Sequence, residues 1–467
     1  MFKDKEIGYG KSILVSLGLI LTVFFALSWV IPTGLSVGTT FQSSEMTNPI
    51  GFFDFFRVPA STLVNSSHII FYILLIGGLY GILGQTGSYN KLVDKTAKCL
   101  KKRIVANTTL IFSIATTLTG NLYLIFVFVP FFIAVLFKNK VDKLTAFAAT
   151  VGAILVGNVV GILSSNMLVT IKSYYAVETT TMFIEKLIIV AVFITLYTMW
   201  VNKRKGEEKH EKIPLLFEEK KSSKQDSYIM FNVLTGMIVV FLFLVMFNWS
   251  TLFEIEFFKN ISTNIMDNKI LSKITGGFNN FGNWGLYDLT IMIMAYIAML
   301  IFIFGIKLEV AFESFKEGTK QVLKPALLGA ATFVVYHLIM VTDNSTGYNI
   351  YNTVTNFVFE ITGEFAILGT FINSIFSSLV YSDFGFFVHY LSNVADFTSA
   401  ASIPLLTLVM QMTHGLMMLL VPTSLFLVAG LSLVEVSYFK WMKYIFKISL
   451  LFLLLGTIFV GMIAYMV

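Results

Sequence analysis

Residues 106–137 read ANTTLIFSIATTLTGNLYLIFVFVPFFIAVLF, a run of 32 without one charged side chain. One membrane crossing takes about 20 apolar residues and two take about 40, so the run has the wrong length for either. Lys101, Lys102 and Arg103 precede it, and Lys138, Lys140 and Lys143 follow it. A single crossing would strand one basic cluster outside, against the preference of lysine and arginine for the cytoplasmic face. A re-entrant hairpin broken near Gly120-Asn121 satisfies both the length and the charge. One long tilted helix is the plainer alternative.

The whole chain of 467 residues is 56% hydrophobic and 13% charged. Soluble proteins carry about 25% charged residues, and a water-facing domain cannot hide this much apolar surface. A soluble enzyme, a nucleic-acid-binding protein and a disordered scaffold are excluded, which leaves a polytopic all-α membrane protein. Full-length apolar runs fall at 13–32, 69–86, 144–163, 182–201, 228–249, 287–305, 325–341, 398–434 and 444–466, about nine spans. The first is too long and too poorly terminated for a cleaved signal. With the N-terminus cytoplasmic, 27 of the 33 lysines and arginines fall on the cytoplasmic side, and the C-terminus is external. The expected location is the plasma membrane. Cys99 is the only cysteine, so no intrachain disulfide forms.

A second apolar stretch of unsuitable length, about 363–393, breaks near Tyr381-Ser382-Asp383 and would dip in from the outside. The order is then span, span, hairpin, span, span, a linking helix, and the same order again with the opposite sidedness. Thr86-Gly87-Ser88-Tyr89-Asn90 and Thr346-Gly347-Tyr348-Asn349 follow matching spans, each about 31–32 residues after a Phe-rich amphipathic stretch at Phe52–Phe56 and Phe312–Phe315. Inverted repeats with helices broken at the midplane mark secondary transporters. The expected organisation is a first repeat over 1–201 (hairpin about 106–137, broken helix about 144–166), then a charged cytoplasmic linker at 202–227. A linking helix and external loop follow at 228–286, then a second repeat over 287–467 (hairpin about 363–393, broken helix 398–434).

In lipid, unpaired backbone survives only where it lines a cavity. The two breaks, at Ser164, Ser165 and Asn166 and at Pro422, Thr423 and Ser424, therefore join the hairpin tips as candidate binding groups. Pro422 removes one helix hydrogen bond. Half-helix N-termini attract anions, and freed carbonyls suit Na⁺ or ammonium. A proline kink with capping hydroxyls is the plainer reading of the second break. Gly120 and Asn121 at the first tip, Ser382 and Asp383 at the second, and Gln411 and His414 before the second break complete the candidate set. An Asp at the bilayer centre costs about 2.5–3.5 kcal/mol on insertion scales, so it usually faces a cavity. His389 lies near Asp383, while His337 reads as a hydrogen-bonded core histidine. Gly77-x-x-x-Gly81 and Gly157-x-x-x-Gly161 read as close helix packing. No HExxH, GxSxG or Walker A sequence occurs, so no enzyme is expected.

Residues 412–443 (Met412-Thr413-His414-Gly415-Leu416, Val421-Pro422-Thr423-Ser424, Tyr438-Phe439-Lys440-Trp441) resemble the C-terminal signature of the YfcC-like, C4-dicarboxylate anaerobic carrier-related transporters. Pro49–Phe56, Ile76–Ile82 with Thr86-Gly87, and Leu308-Glu309 to Phe315-x-x-Gly318 resemble that family too. The resemblance implies membership of the ion-transporter superfamily, with two inverted repeats and re-entrant hairpins. Pro422, Thr423, Ser424 and Gln411 match the family's motif. The family's acidic pair in the first hairpin is replaced by Leu118-Thr119-Gly120-Asn121-Leu122, and its glycine–serine tip in the second by Val380–Gly385. The resemblance implies cargo that is either a dicarboxylate or a basic amino acid.

The expected function is secondary active transport of a small charged metabolite by alternating access. No arginine lies in any predicted span, so a bidentate dicarboxylate clamp is missing. Asp383 suits a cation. Arginine/ornithine-type amino acid exchange therefore ranks first, with a C4-dicarboxylate carrier as alternative and a channel or non-transporting paralogue behind. No cofactor is expected; Na⁺ or H⁺ are the candidate coupling ions. The partners are the cargo and the lipid bilayer, no nucleic acid, and a homodimer is a candidate assembly.

Overall fold

The computed structural model describes residues 8–37, 40–44, 47, 49–163, 165–178, 181–204, 213–217, 227–247, 249–340, 348–363, 365–391 and 403–466. The 106–137 run is a hairpin. Its arms are Ile104–Thr119 and Leu122–Lys138. Gly120 closes the first arm at φ +58°, a left-handed conformation that costs glycine nothing, and its N–H bonds to the Thr116 carbonyl at 2.7 Å. Phe112 and Phe132 meet across the arms at 5.1 Å between ring centroids. Both ends return to the helix Gly87–Leu100. Lys138 pairs with its Asp94 at 2.9 Å, and the Asn139 side chain donates to the Ala97 carbonyl at 3.3 Å. The tilted-helix alternative does not describe this geometry. With Cys99→Ser as background, Lys101→Cys and Lys140→Cys are expected to react with an impermeant maleimide from the same side of the membrane. Labelling from opposite sides would contradict the hairpin.

The nine expected spans resolve as a multi-pass membrane protein. Among the described residues, six helices are long and apolar enough to cross: Tyr9–Ser28, Phe183–Lys203, Tyr228–Met246, Leu286–Ile303, Leu308–Met340 and Tyr438–Tyr465. The expected span 69–86 is half of a pair, Phe52–Asn65 and Ser67–Leu83, bent by 55°. The span 325–341 starts much earlier, at Leu308, because the amphipathic stretch around Phe312 continues as one 33-residue element. The two remaining expected spans, 144–163 and 398–434, are interrupted.

The first interrupted helix, Lys143–Gly157, contains a π-turn at Ala148–Gly152 and unwinds over 158–163, with Gly161 at φ +55°. The unwinding begins six residues before the Leu163-Ser164 position read from the sequence. Hydroxyls and a phenol serve the backbone around it. Tyr197 donates to the Ala148 carbonyl at 2.9 Å, Ser113 to Ala153 at 3.1 Å, and Thr117 to Gly157 at 2.9 Å. The second consists of Ile403–Met418 and Leu425–Leu433, separated by 419–424. The second hairpin has Ala366–Val380 and Phe384–Leu391 as arms.

The first glycine motif packs helices as expected; of the second, Gly157 does so, while Gly161 lies in the unwound 158–163 segment. Ser67–Leu83 lies along Leu308–Ala331, and a Cβ on Gly77 would come 2.6 Å from the Gly318 carbonyl oxygen. Gly157 meets the Ser113 backbone of the first hairpin. Two features were not expected. Gly34–Val37 and Thr40–Ser43 form a small antiparallel ribbon, tied to Asn349 by paired backbone bonds of 3.0 Å. The loop after Tyr228–Met246, expected to be external, folds into three short helices, Trp249–Phe253, Phe257–Asp267 and Leu271–Thr275. Most of the charged linker, 205–212 and 218–226, lies outside the described residues, as do Thr346 and Gly347.

Candidate binding cavity

A cavity of about 700 Å³ lies where both hairpin tips and both interrupted helices converge. Gly120 and Asn121 supply the first tip, and the Asn121 amide oxygen accepts from the Leu124 N–H at 3.0 Å, capping the second arm. Ser382 and Asp383 supply the second tip, and an Asp383 carboxylate oxygen accepts from the Phe386 N–H at 3.1 Å. His414 lines the cavity from the second interrupted helix, its Nδ1 3.4 Å from the Ser378 hydroxyl and its ring on Phe384. Ser424 opens the helix Leu425–Leu433 onto the cavity, and its side chain makes no cap bond to it. Tyr123, beside the first tip, packs on Phe426 of the helix Leu425–Leu433 with ring centroids 5.0 Å apart. The walls extend to Asn65, Ser66 and His68 at the helix bend and to Asn283 and Trp284 in the loop before Leu286. Among the described lining residues, Asp383 is the single formally charged group.

Six of the sequence-derived candidates therefore meet in one place: Gly120, Asn121, Ser382, Asp383, His414 and Ser424. Three do not line the cavity. Thr423 donates its hydroxyl to the Ser378 carbonyl at 2.7 Å, a structural bond between the second hairpin and the break. Pro422 breaks the helix as expected, but two carbonyls of the break are taken by side chains. The Trp441 indole donates to Leu419 at 2.8 Å, and the Tyr438 hydroxyl bonds Leu420. Those oxygens are satisfied by side chains rather than held open for a cation. Gln411 is fully buried, and among the described residues neither end of its amide has a partner. Gly415, one turn further on, presses on the Val159 backbone of the first break. Ser165 and Asn166 begin the helix Ser165–Tyr175, but their side chains, with that of His389, lie outside the described residues, as does all of Ser164.

His337 differs from its core reading. It lies on the cavity wall, hydrogen-bonded through Nδ1 to the Thr62 hydroxyl at 3.2 Å. Asn158 escaped the sequence reading altogether. It is the first unwound residue after Gly157, is 5% exposed, and lines the cavity. Its signal was present: an amide inside the apolar run Leu155-Val156-Gly157-Asn158-Val159-Val160.

The fold has distant likenesses among solved structures. The Alcanivorax borkumensis YdaH transporter aligns at 12% identity over 97% of each chain with a TM-score of 0.38. Neisseria gonorrhoeae MtrF, described with a class of antimetabolite efflux pumps, aligns at 11% identity over 98% of this chain and 95% of its own, with a TM-score of 0.34. No curated protein matches the chain. The DcuC family, described as C4-dicarboxylate anaerobic carrier, matches residues 12–466, and with its match running through both hairpins and both interrupted helices the chain belongs to that family of membrane carriers.

Proposed function

We propose that this secondary carrier moves a small organic dianion of the C4-dicarboxylate class. The observation that carries the reading is the uncapped N-terminus of Leu425–Leu433 at the cavity wall. A helix N-terminus presents free N–H groups and about half a positive charge, which suits a carboxylate without any arginine. The other tips are already served, by Asn121 at Leu124 and by Asp383 at Phe386. The missing membrane arginine thus loses its weight, and with it the ranking that put amino acid exchange first. One carboxylate is assigned to Ser424 and the Leu425 end, the other to the amides of Asn121 and Asn158. The family name supports the same class.

A second reading keeps a basic amino acid as cargo, favoured by Asp383 as the one charged group among the described lining residues. Under the first reading Asp383 instead faces the coupling Na⁺ or H⁺. Two repeats of opposite sidedness, with the N-terminus cytoplasmic and the C-terminus external in the plasma membrane, complete the proposal; a homodimer remains its candidate assembly. Counterflow in proteoliposomes decides between the cargoes. Labelled succinate or malate is expected to exchange against its unlabelled form, and arginine and ornithine are not. Arginine or ornithine counterflow without succinate counterflow would overturn the dianion.

A further inference from the structure

A second cavity, about 230 Å³ and almost wholly apolar, lies apart from the binding site. Its walls come from Leu83, Tyr89 and Leu92, from Phe131 on the second arm of the first hairpin, and from Phe231 to Leu242 on the helix Tyr228–Met246. The eleven steps from Phe231 to Leu242 span about 16 Å at the helical rise. That is about half of the ~30 Å hydrocarbon core, the depth of one leaflet.

One end of the groove is strongly basic. Tyr228, one turn before Phe231, lies under the Lys95 ammonium at 4.1 Å from the ring centroid. Lys91, Lys95 and Lys98 share one exposed face of Gly87–Leu100, and Tyr89 and Leu92, which line the groove, flank Lys91. Lys101, Lys102 and Arg103 continue the cluster. The single acid of that stretch, Asp94, is neutralised by Lys138 at 2.9 Å. A slot one leaflet deep that opens beneath lysines with no ion pair among the described residues has the shape and charge of a phospholipid: acyl chain along the slot, phosphate at the ammonium groups.

We infer that this groove holds an anionic glycerophospholipid, with Lys91 and Lys95 at its head group and an acyl chain between the first hairpin and the helix Tyr228–Met246. The site does not depend on which cargo the carrier moves. Native mass spectrometry of the full-length protein, delipidated and titrated with phosphatidylglycerol or phosphatidylcholine, tests it. Phosphatidylglycerol is expected to be retained preferentially. The double variant Lys91→Ala/Lys95→Ala is expected to weaken that retention about 30-fold, since each of the two lysines near a membrane surface contributes about 1 kcal/mol. Ile238→Trp, which fills the slot from a half-buried position, is expected to displace the lipid. Both lysines are exposed, so their replacement leaves the folded protein available even where the tryptophan variant does not. Equal retention of the two lipids by the unmodified protein would overturn the inference. So would unchanged phosphatidylglycerol binding in the lysine variant, or a lipid-free dimer whose partner copy covers the slot.

Discussion

Gly81→Val is expected to eliminate the folded carrier, with no monodisperse peak in detergent and less than a tenth of the normal membrane yield. A Cβ at position 81 would overlap the Ser314 carbonyl and approach the Gly318 Cα at 3.4 Å. Both neighbours are backbone of the long helix Leu308–Ala331, which cannot swing away as a side chain does. Gly318 is equally closed, since its own Cβ would strike the Gly77 carbonyl. The two helices therefore touch backbone to backbone, and separating them forfeits dispersion along the whole seam, the main attraction between helices in lipid. Overpacking typically costs 1–3 kcal/mol where side chains can shift; here rigid backbone raises the cost to ~4 kcal/mol or more. Gly236→Val is the control. Position 236 also lies in an apolar membrane helix, but nothing stands within 4 Å of its Cβ. It is expected to elute as the unmodified protein does. Loss of both variants, or survival of both, would show that the close approach does not govern folding.

The same physics explains how much was legible beforehand. Charge and length decide the first hairpin, because lysine placement and hydrocarbon thickness are properties of the bilayer rather than of the fold. Glycine spacing likewise announces the Gly77–Gly318 seam from one of its sides. The breaks were half legible. Pro422 must interrupt a helix, yet nothing in the sequence says that Trp441 and Tyr438 return to satisfy the carbonyls of Leu419 and Leu420. Thr423 fails as a site residue for the same reason: its partner, the Ser378 carbonyl, lies 45 residues away on the second hairpin. The first break carries no proline. Its position depends on Ser113 and Thr117 bonding the Ala153 and Gly157 carbonyls, contacts 40 residues apart in the chain. That displaced the expected break toward Ser164 and hid Asn158. The ribbon at Gly34–Val37 was hidden as well, because two four-residue strands paired with Asn349 leave no periodicity long enough to read.

Asn158→Leu is expected to lower the initial rate of dicarboxylate uptake about 30- to 100-fold while the thermal unfolding midpoint stays unchanged. The two side chains are of similar size, and the backbone bonds that place residue 158, from its N–H to Ile154 at 3.2 Å and Leu155 at 3.3 Å, do not involve the side chain. Among the described residues the amide makes no side-chain hydrogen bond, so the substitution orphans no protein partner and the fold has nothing to lose. What is lost is a donor facing the cavity. A hydrogen bond to a charged group contributes about 1.5–3 kcal/mol, and a cargo carboxylate left facing leucine keeps part of its desolvation cost besides. Asn158→Asp sharpens the test. For a dianion the added carboxylate repels the cargo, so uptake should fall at least as far as with leucine. For a basic amino acid the same carboxylate, together with Asp383, would hold the cargo and preserve or raise uptake. Normal uptake by the leucine variant would remove residue 158 from the site altogether. Improved uptake of arginine by the aspartate variant would transfer the cavity to the cationic reading. The sign of one substitution thus reports the sign of the cargo, because the described lining residues otherwise carry a single formal charge and shield it with the Phe386 amide.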